Sequence, residues 1–193
     1  IKKLVSGLNA AFIDIGYEKD AFLHYHDLGP NLHTLQKFTR DVLTKKGKTI
    51  KLENYKLESE IDKLGKIDKV LTRGQLALVQ VVKEPISTKG PRLSCDISIA
   101  GRFLVLVPFS NGVNISKRIT SKAERNRLQK LMTSIKPKNY GVIVRTVAEG
   151  KAVEEMERDL KESIAKWEEG IKKLIDAKPT ERIIGEMSRA TSM

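Results

Sequence analysis

The pair Arg145-Thr146 combines two side chains that are suited to binding a phosphate. Arginine presents a planar fork of N–H donors, and the neighbouring threonine adds a hydroxyl and a backbone amide. The pair lies at the end of a predicted strand and ahead of a predicted helix. These donors suit a terminal phosphate dianion better than a phosphodiester, because a terminal phosphate has more oxygens that need partners. The dipeptide alone is common, so it indicates this chemistry only together with its surroundings.

Two phenylalanines, Phe12 and Phe22, fall on consecutive predicted strands. Aromatic rings on a sheet face can stack with the bases of single-stranded nucleic acid, at about 1–3 kcal/mol per base. The same rings could instead belong to the core, as is common for phenylalanine in apolar strands. Tyr17, His24 and His26 lie close by in the sequence and could line the same face. The sequence leaves both interpretations open.

Positive charge is the strongest bulk property of the chain. Its 193 residues carry a formal net charge of +12, with a pI near 9.7. Between residues 113 and 139 there are eight basic residues and one acidic residue, with Lys117 and Arg118 adjacent. This imbalance favours nucleic acid as a partner, because lysine and arginine release condensed counterions from phosphates. A membrane surface, or a basic face that is only solvated, is the alternative.

Several chemistries have no motif in this sequence. The single cysteine, Cys95, excludes an internal disulfide and a Cys-rich zinc site, and its alternating context predicts a buried thiol. No HExxH, GxSxG or P-loop motif is present, so we predict no catalytic residue, metal or cofactor in this chain. No apolar run approaches the roughly 18 residues of a membrane span. The chain starts at Ile1 inside a strand-like pattern, so we expect it to be a piece of a longer protein.

Apolar patterning predicts a first half that is mostly β. The predicted strands cover residues 1–5, 10–15, 21–25, 75–82 and 92–99, with a short helix at 31–43. Residues 44–69 are polar and weakly periodic, which indicates a long loop inserted outside the core. Five strands with this insertion before the fourth predict a five-stranded Greek-key barrel, the OB-fold, with a β-sandwich as the competitor.

The stretch from Ser98 to Ile119 is the centre of the second half. Five apolar residues, Phe103 to Val107, predict a strand that is buried on both faces. Asn111-Gly112 predicts a turn after it, which would bring two cations back beside that strand as a hairpin. The stretch is then either a buried hairpin with a solvated basic tip or a rigid strand whose flanking backbone and cations face an anion.

Two helices complete the second half. Ser121 and Glu124 have the spacing of a capping box, which begins a helix that should end before Pro137. After a strand over residues 141–145, a long helix is predicted over residues 151–178, with apolar residues at intervals of three and four. That stripe comprises Val153, Met156, Leu160, Ile164, Trp167, Ile171 and Leu174. The order of elements predicts a small α+β domain that ends in a long helix.

Three strings of the sequence resemble the amino-terminal half of ribonuclease E/G, the bacterial endoribonucleases that mature and degrade RNA. They are AAFIDIGYEKDAFLH near the start, IAGRFLVLVP with ISKRI in the middle, and GVIVRT before the long helix. Their order and approximate spacing both match, and together they cover most of the chain. The resemblance implies an OB-type RNA-binding domain over residues 1–94 and a 5′-sensor domain over residues 95–185. It also implies the start of a ribonuclease H-like segment over residues 186–193.

The resemblance implies RNA contacts for five side chains. Phe12, Phe22 and Lys89 correspond to residues on the RNA-binding face of the OB-type domain. Lys117 and Arg118 correspond to the family's ISRR-like string, in which the first arginine is here a lysine. Lysine cannot make the bidentate contact of arginine, so phosphate recognition is weakened more at residue 117 than at residue 118.

The resemblance also implies a pocket for the 5′-monophosphate of the RNA. Arg145 and Thr146 correspond to the residues that form it, and backbone near Gly101 and Val105 lines it. The loop after Thr146 reads VAEGKA, whereas the family's version is richer in glycine. We therefore expect the pair to be in place and the shape of the loop to differ.

The function implied by the resemblance is RNA binding with sensing of the 5′ end. The partner would be single-stranded RNA with a 5′-monophosphate, and the parent enzyme would be a cytoplasmic, homo-oligomeric endoribonuclease. Mg²⁺ and a structural zinc are implied only for a part of the family's chain beyond Met193, so we do not expect this chain to cut RNA. Two other interpretations remain. One is an OB-fold RNA- or ribosome-binding module without end preference, and the other is a protein-interaction domain that presents the long helix to a partner.

Overall fold

The computed structural model describes residues 1–45 and 48–185, which form two β-sheets and four α-helices. The strands are β1 (Lys3–Val5), β2 (Ala10–Ile13), β3 (Ala21–His24), β4 (Gln80–Lys83), β5 (Arg92–Ser94), β6 (Ile99–Ala100), β7 (Leu104–Pro108), β8 (Val113–Ile115) and β9 (Tyr140–Val144). The helices are α1 (Leu32–Thr44), α2 (Ile67–Val70), α3 (Lys122–Ile135) and α4 (Val153–Asp176). Within these residues no helix is both long enough and apolar enough to cross a membrane. The predicted start of a ribonuclease H-like segment, residues 186–193, lies outside the described residues.

The first sheet contains β1 to β5 in the order β1-β2-β3-β5-β4, and β3 and β5 are its parallel pair. Side chains of β2 and β3 alternate, because successive residues of a strand point to opposite faces. Ala11, Ile13 and Leu23 are buried on the inner face. The outer strands are β1 and β4, and the described residues contain no strand pairing between them. The sheet is open, so the closed five-stranded barrel of the sequence prediction is not what the structure shows.

The sheet stays open because the strand predicted over residues 75–82 forms only in part. Residues 75–79 are not in a strand, and a bulge between Val81 and Lys83 disturbs the pairing of β4 with β5. Two hydrogen bonds join the two edges, 2.8 Å from the Gly74 amide to the Ile1 carbonyl and 2.7 Å from the Ile1 amino group to the Gln75 carbonyl. Without a longer β4, the ladder that would complete a barrel cannot continue.

The strand predicted over residues 92–99 is divided between the two sheets. Its first part, β5, ends at Ser94, and its last residue begins β6, which pairs with β7 in the second sheet. At the break the Cys95 amide donates 2.8 Å to the Asp27 carbonyl, and Ser98 is bonded by the side chain of Gln80 in β4 and not by its backbone. The prediction of a buried thiol is confirmed, since Cys95 is 5% exposed and burial raises its pKa to about 12.

The described part of the predicted insertion, residues 48–69, has little regular structure but contributes to the core. Leu52 and Ile67 are 2% and 0% exposed. The Ile67 amide donates 2.7 Å to the Asn9 side chain, and the Asn139 side chain donates 2.8 Å to the Leu52 carbonyl. The prediction that this loop lies outside the core is therefore wrong for these residues. The apolar residues of the segment recur at irregular spacing, which gives neither a strand nor a helix period.

The second sheet has the order β6-β7-β9-β8, with β8 parallel to β9. The predicted hairpin between β7 and β8 is wrong, because β9 lies between them. Helix α3 carries the chain from the end of β8 back to the start of β9, as a parallel pair requires. As a result the carboxyl ends of β8 and β9 lie side by side at one edge of the sheet.

Helix α4 packs its apolar stripe into the core. Met156, Leu160, Trp167, Ile171 and Leu174 are all buried. The Trp167 ring lies 6.1 Å from Phe38 of α1 and 5.6 Å from Phe109 after β7, so the helix contacts both halves of the chain. An exposed stripe for a partner protein is excluded for these five residues. The five-stranded sheet uses residues 3–94 and the four-stranded sheet residues 99–144, while the domain boundaries at 94 and 185 stay a prediction.

Candidate nucleic-acid interface

Phe12 and Phe22 are direct neighbours on the outer face of the first sheet. They are register partners on β2 and β3, and their ring centroids lie 5.6 Å apart in an edge-to-face arrangement. Both side chains are half-buried, whereas the adjacent Ala11 and Leu23 point inward and are fully buried. The core is thus supplied by the alternate residues of these strands. The two rings form a hydrophobic surface with one side open to solvent.

Cations and further rings extend this surface. Lys3 is the register partner of Phe12 on β1, and Arg92 is the partner of Phe22 on β5, so the row runs from cation to cation across four strands. Arg92 also forms an ion pair with Asp27 at 2.9 Å. Beyond Phe22 the rings continue with His24, 6.4 Å away, which stacks on His26 at 4.8 Å. Lys3 and Arg92 were not predicted as site residues from the sequence, although each lies at an exposed position of its strand.

Lys89 lies in the loop between β4 and β5 and is exposed. Its backbone pairs with that of Ile86 in a tight turn, with hydrogen bonds of 2.9 and 3.2 Å. Pro91, two residues later, accepts 2.8 Å from the Phe22 amide, so the loop runs beside the start of β3. Gly90 permits this approach, because a Cβ there would lie 2.1 Å from the Asp20 carbonyl oxygen. Lys89 is thus held at the end of the aromatic surface where β3 begins.

The predicted phosphate residues meet at the edge formed by the ends of β8 and β9. The Ser116 amide, just after β8, donates 2.9 Å to the Val144 carbonyl at the end of β9. The Ser116 and Thr146 hydroxyl oxygens lie 2.8 Å apart. Lys117 and Arg118 follow Ser116 and are both exposed. The topology therefore brings two cations to Thr146 although they lie nearly thirty residues earlier in the chain.

The Arg145 guanidinium is fixed at one of its nitrogens. Nη1 donates to the carbonyls of Gly101 at 2.8 Å and Arg102 at 3.3 Å. The Arg145 amide donates 2.8 Å to the Phe103 carbonyl, so backbone and side chain are tied to the same turn. The side chain is exposed, and within the described residues Nε and Nη2 make no hydrogen bond. The guanidinium is held in place and still has donors for a ligand.

Val105 lies on the same face of the second sheet as Arg145. It is the register partner of Ile143 on β9 and of Ala100 on β6. Ile143 precedes Arg145 by two residues, which places both side chains on one face, and Ile143 is 41% exposed. The structure therefore brings Gly101, Val105 and Arg145 to a single surface. Lys117 and Arg118 follow β8, the strand next to β9, and lie at the edge of this surface.

A buried carboxylate on α4 holds the turn that anchors Arg145. Asp159 is 7% exposed and accepts hydrogen bonds of 2.9 Å from the amides of Arg102, Phe103 and Leu104. Gly101 is needed here, because a Cβ would lie 2.6 Å from an Asp159 carboxylate oxygen. Asp159 was not predicted as a site residue. The available signal was an acidic residue at the apolar side of an amphipathic helix, directly before Leu160.

Helix α3 supports both loops of this edge. The Arg125 guanidinium donates to the carbonyls of Ser116 at 2.7 Å and Ile119 at 3.0 Å. Ser121 accepts from the Glu124 amide at 3.3 Å, as half of the predicted capping box. The Glu124 carboxylate instead binds Arg127 and, at 2.7 Å, the Gly150 amide.

Several basic residues of the predicted footprint are therefore structural. The hydrogen bonds from Arg127 and the Gly150 amide lower the pKa of Glu124 to about 2. Arg125 and Arg127 donate hydrogen bonds to other groups of the protein. Burial lowers the pKa of the half-buried Lys136. Lys117 and Arg118 stay available to a ligand at this edge. Over residues 1–45 and 48–185 no cluster of three or more metal-ligating side chains is found.

Sequence comparisons show which known proteins this chain is similar to. The family model described as "Ribonuclease E/G family" matches residues 98–193. Ribonuclease E of Nostoc sp. (strain PCC 7120) is 38% identical over 169 residues, which is 87% of this chain and 21% of that protein. Ribonuclease G of Escherichia coli (strain K12) is 35% identical over 82% of this chain and 29% of its own length. Ribonuclease G of Haemophilus influenzae is 33% identical over 96% of this chain and 34% of its own length. The chain thus spans between a fifth and about a third of the length of these curated relatives.

Proposed function

Because the chain belongs to the ribonuclease E/G family, we propose that it binds single-stranded RNA and senses a monophosphate at the RNA 5′ end. The observation that carries this proposal is the anchored and exposed guanidinium of Arg145. The hydroxyl pair that Thr146, the next residue, forms with Ser116 supports it. In the parent protein we assign RNA cleavage to residues outside this sequence. The role of the present chain is to hold the RNA and to recognise its end.

The donors at this edge fit a terminal phosphate. Nε and Nη2 of Arg145 offer N–H groups in a planar fork. In the Ser116–Thr146 pair one hydroxyl donates to the other, so the second hydroxyl still has a proton to donate outward. Lys117 and Arg118 add two exposed positive charges. A phosphomonoester carries nearly two negative charges at neutral pH whereas a backbone diester carries one, and the site would therefore favour the end of a strand.

Base stacking on the first sheet would supply affinity that does not depend on the 5′ group. Phe12 and Phe22 offer adjacent half-open rings, and Lys3 and Lys89 lie where a backbone could pass. The strand order β1-β2-β3-β5-β4, with a parallel β3–β5 pair, supports assigning residues 1–94 to an OB-type domain. In this proposal residues 95–185 form the 5′-sensor domain. The first sheet would then supply affinity for any single strand, and the second domain would recognise the 5′ end.

The proposal is tested by Arg145→Ala in fluorescence anisotropy with RNA oligomers that differ only in the 5′ group. The preference is the dissociation constant for the 5′-hydroxyl oligomer divided by that for the 5′-monophosphate oligomer. Loss of charged hydrogen bonds should lower it about tenfold or more, with little change for the 5′-hydroxyl oligomer. Arg40→Ala is the matched control, since it removes the same charge from an exposed position on α1. An equal loss on both oligomers would refute end sensing.

A second candidate function is an RNA-binding module without end preference. The observation in its favour is that the Phe12–Phe22 surface is complete without any residue of the second sheet. It predicts that the unmodified chain binds 5′-monophosphate and 5′-hydroxyl oligomers equally. The same anisotropy measurement on the wild-type chain therefore decides between the two candidates.

A further inference from the structure

The carboxylate of Asp159 is the most heavily bonded buried acid in the described part of the chain. It lies on α4, where its two oxygens accept three backbone N–H groups. Oδ1 accepts from Arg102, and Oδ2 accepts from both Phe103 and Leu104, each at 2.9 Å. Three amides converging on one carboxylate define the conformation of the turn from Gly101 to Leu104 much more tightly than a single hydrogen bond would.

The same turn holds Arg145 from its other side. Its amides face Asp159, and its carbonyls at Gly101 and Arg102 accept from Nη1 of Arg145. A peptide group that donates on one side and accepts on the other transmits a displacement, because the group is planar and rigid. A change in the carboxylate would therefore tilt the carbonyls that orient the guanidinium. The path from Asp159 to Arg145 contains only hydrogen bonds and one short turn.

Close packing leaves the carboxylate little freedom to shift. A Cβ at Gly101 would lie 2.6 to 2.9 Å from the Asp159 carboxylate atoms, so only glycine allows the present approach. Asp159 also lies on the helix whose stripe is packed into the core, through residues such as Met156 and Trp167. The carboxylate is thus carried by a helix whose apolar side is packed into the core. It is suited to hold an exposed side chain at a defined place.

We propose that Asp159 is the positioning residue of the phosphate site: it sets the turn of residues 101–104 so that Arg145 presents its free N–H donors to the 5′ phosphate. Asp159 does not touch the RNA and acts only through the turn. This inference rests on the proposed function, because the ligand is the same phosphate. It adds that α4, through Asp159, determines the direction in which the Arg145 guanidinium points.

The test uses Asp159→Asn in the full 193-residue chain. An amide keeps the shape of the carboxylate, but its NH₂ must face at least one backbone N–H of the turn, donor against donor. Leu174→Ala is the matched control, since Leu174 is 8% exposed on the same helix and lies 15 residues further along it, about 22 Å away. It lowers stability without reaching the turn. The two variants are compared at matched loss of thermal stability.

Two measurements separate this inference from the proposed function. The first is the order of the Arg145 Nε–H bond by NMR relaxation, which needs no RNA. The second is the preference for a short 5′-monophosphate RNA over its 5′-hydroxyl counterpart. Asp159→Asn should reduce the order of Arg145 and lower the preference by roughly five- to tenfold, while Leu174→Ala should change the preference by less than about twofold.

The outcomes are distinct. The positioning role would be overturned if Arg145 were as ordered in Asp159→Asn as it is in the wild type. It would also be overturned if Leu174→Ala disordered Arg145 to the same extent as Asp159→Asn. Loss of order in Asp159→Asn together with a wild-type chain that ignores the 5′ group would support the positioning role and refute end sensing. If Asp159→Asn does not fold, Gly101→Ala takes its place. Its methyl group displaces the carboxylate without removing its charge, and the same loss of Arg145 order is expected.

Discussion

The side-chain oxygens of Ser116 and Thr146 lie 2.8 Å apart, and this contact joins the carboxyl ends of two parallel strands. The two residues are thirty positions apart in the sequence and meet only because α3 returns the chain to β9. Ligands of open sheets commonly bind at such ends, where loops from adjacent strands converge. In the proposed function, this contact lies where the 5′ phosphate would be bound.

Removing one of these hydroxyls should weaken end recognition in particular. In Ser116→Ala the Thr146 hydroxyl loses its partner and its fixed direction, and we expect affinity for a 5′-monophosphate oligomer to fall by about threefold to tenfold. Affinity for the 5′-hydroxyl oligomer should stay within twofold. Ser134→Ala, which removes an exposed hydroxyl near the end of α3, is the control. Anisotropy titrations measure both, and parallel losses on both oligomers would contradict a phosphate role.

The aromatic surface is expected to act on every single strand. Phe12→Ala or Phe22→Ala should weaken binding of all oligomers by about 1–3 kcal/mol, whatever their 5′ group, because each ring stacks with a base. Leu64→Ala is the control, since Leu64 is an apolar residue that is 87% exposed and lies in the loop before α2. Thermal unfolding must accompany the titrations. A variant that unfolds would show that the ring is needed mainly for the core.

Acid should weaken the link between α3 and the loop after Arg145. Arg127 and the Gly150 amide lower the pKa of Glu124 to about 2, from an ordinary value near 4.5. A depressed pKa in the folded state means that the carboxylate stabilises the fold above its unfolded pKa. This contribution, about 1 kcal/mol for a partly exposed pair, is lost as the pH falls from about 4.5 towards 2.

Thermal unfolding as a function of pH checks this expectation. The difference in melting temperature between the wild type and Glu124→Gln should be constant from pH 6 to 8 and should shrink below about pH 4.5. Lys173 and Glu169 form an exposed pair on α4, so Glu169→Gln is a control for general charge effects. A difference that grows on acidification would contradict the assigned partners of Glu124.

Local pattern was sufficient to predict the three longer helices, α1, α3 and α4, and most strands of this chain. The stripe of α4 and the Ser121 cap of α3 both depend on residues within a few positions of each other, and both are present in the structure. The pairing of the strands could not be obtained in this way. Nothing in residues 103–119 distinguishes a β7–β8 hairpin from two strands separated by β9, because β9 lies more than twenty residues later.

The supporting residues of the site were the hardest to predict. Arg145 and Thr146 could be recognised from their own chemistry and from the string GVIVRT. Asp159 and Arg125 bind backbone groups, and any residue type can supply a backbone amide or carbonyl. Their partners therefore leave no trace in the sequence. A buried acid on an apolar helix face is the one signal that would have pointed to Asp159.

The salt dependence of binding should report how many phosphates the cations contact. For a single strand the logarithm of the binding constant falls with the logarithm of salt concentration by about 0.7 per neutralised phosphate. Lys117 and Arg118 are exposed at the phosphate edge, so Lys117→Ala and Arg118→Ala should each reduce the slope by about that amount. Arg118→Ala should lower the affinity more than Lys117→Ala, since arginine can bind a phosphate with two parallel hydrogen bonds.

The control is Arg127→Ala, which should leave the slope unchanged, because the Arg127 guanidinium is paired with Glu124 and donates to the Lys151 carbonyl. If Arg127→Ala lowers the slope as much as Arg118→Ala does, the α3 ion pair must open on binding and the division into structural and RNA-contacting cations would be wrong.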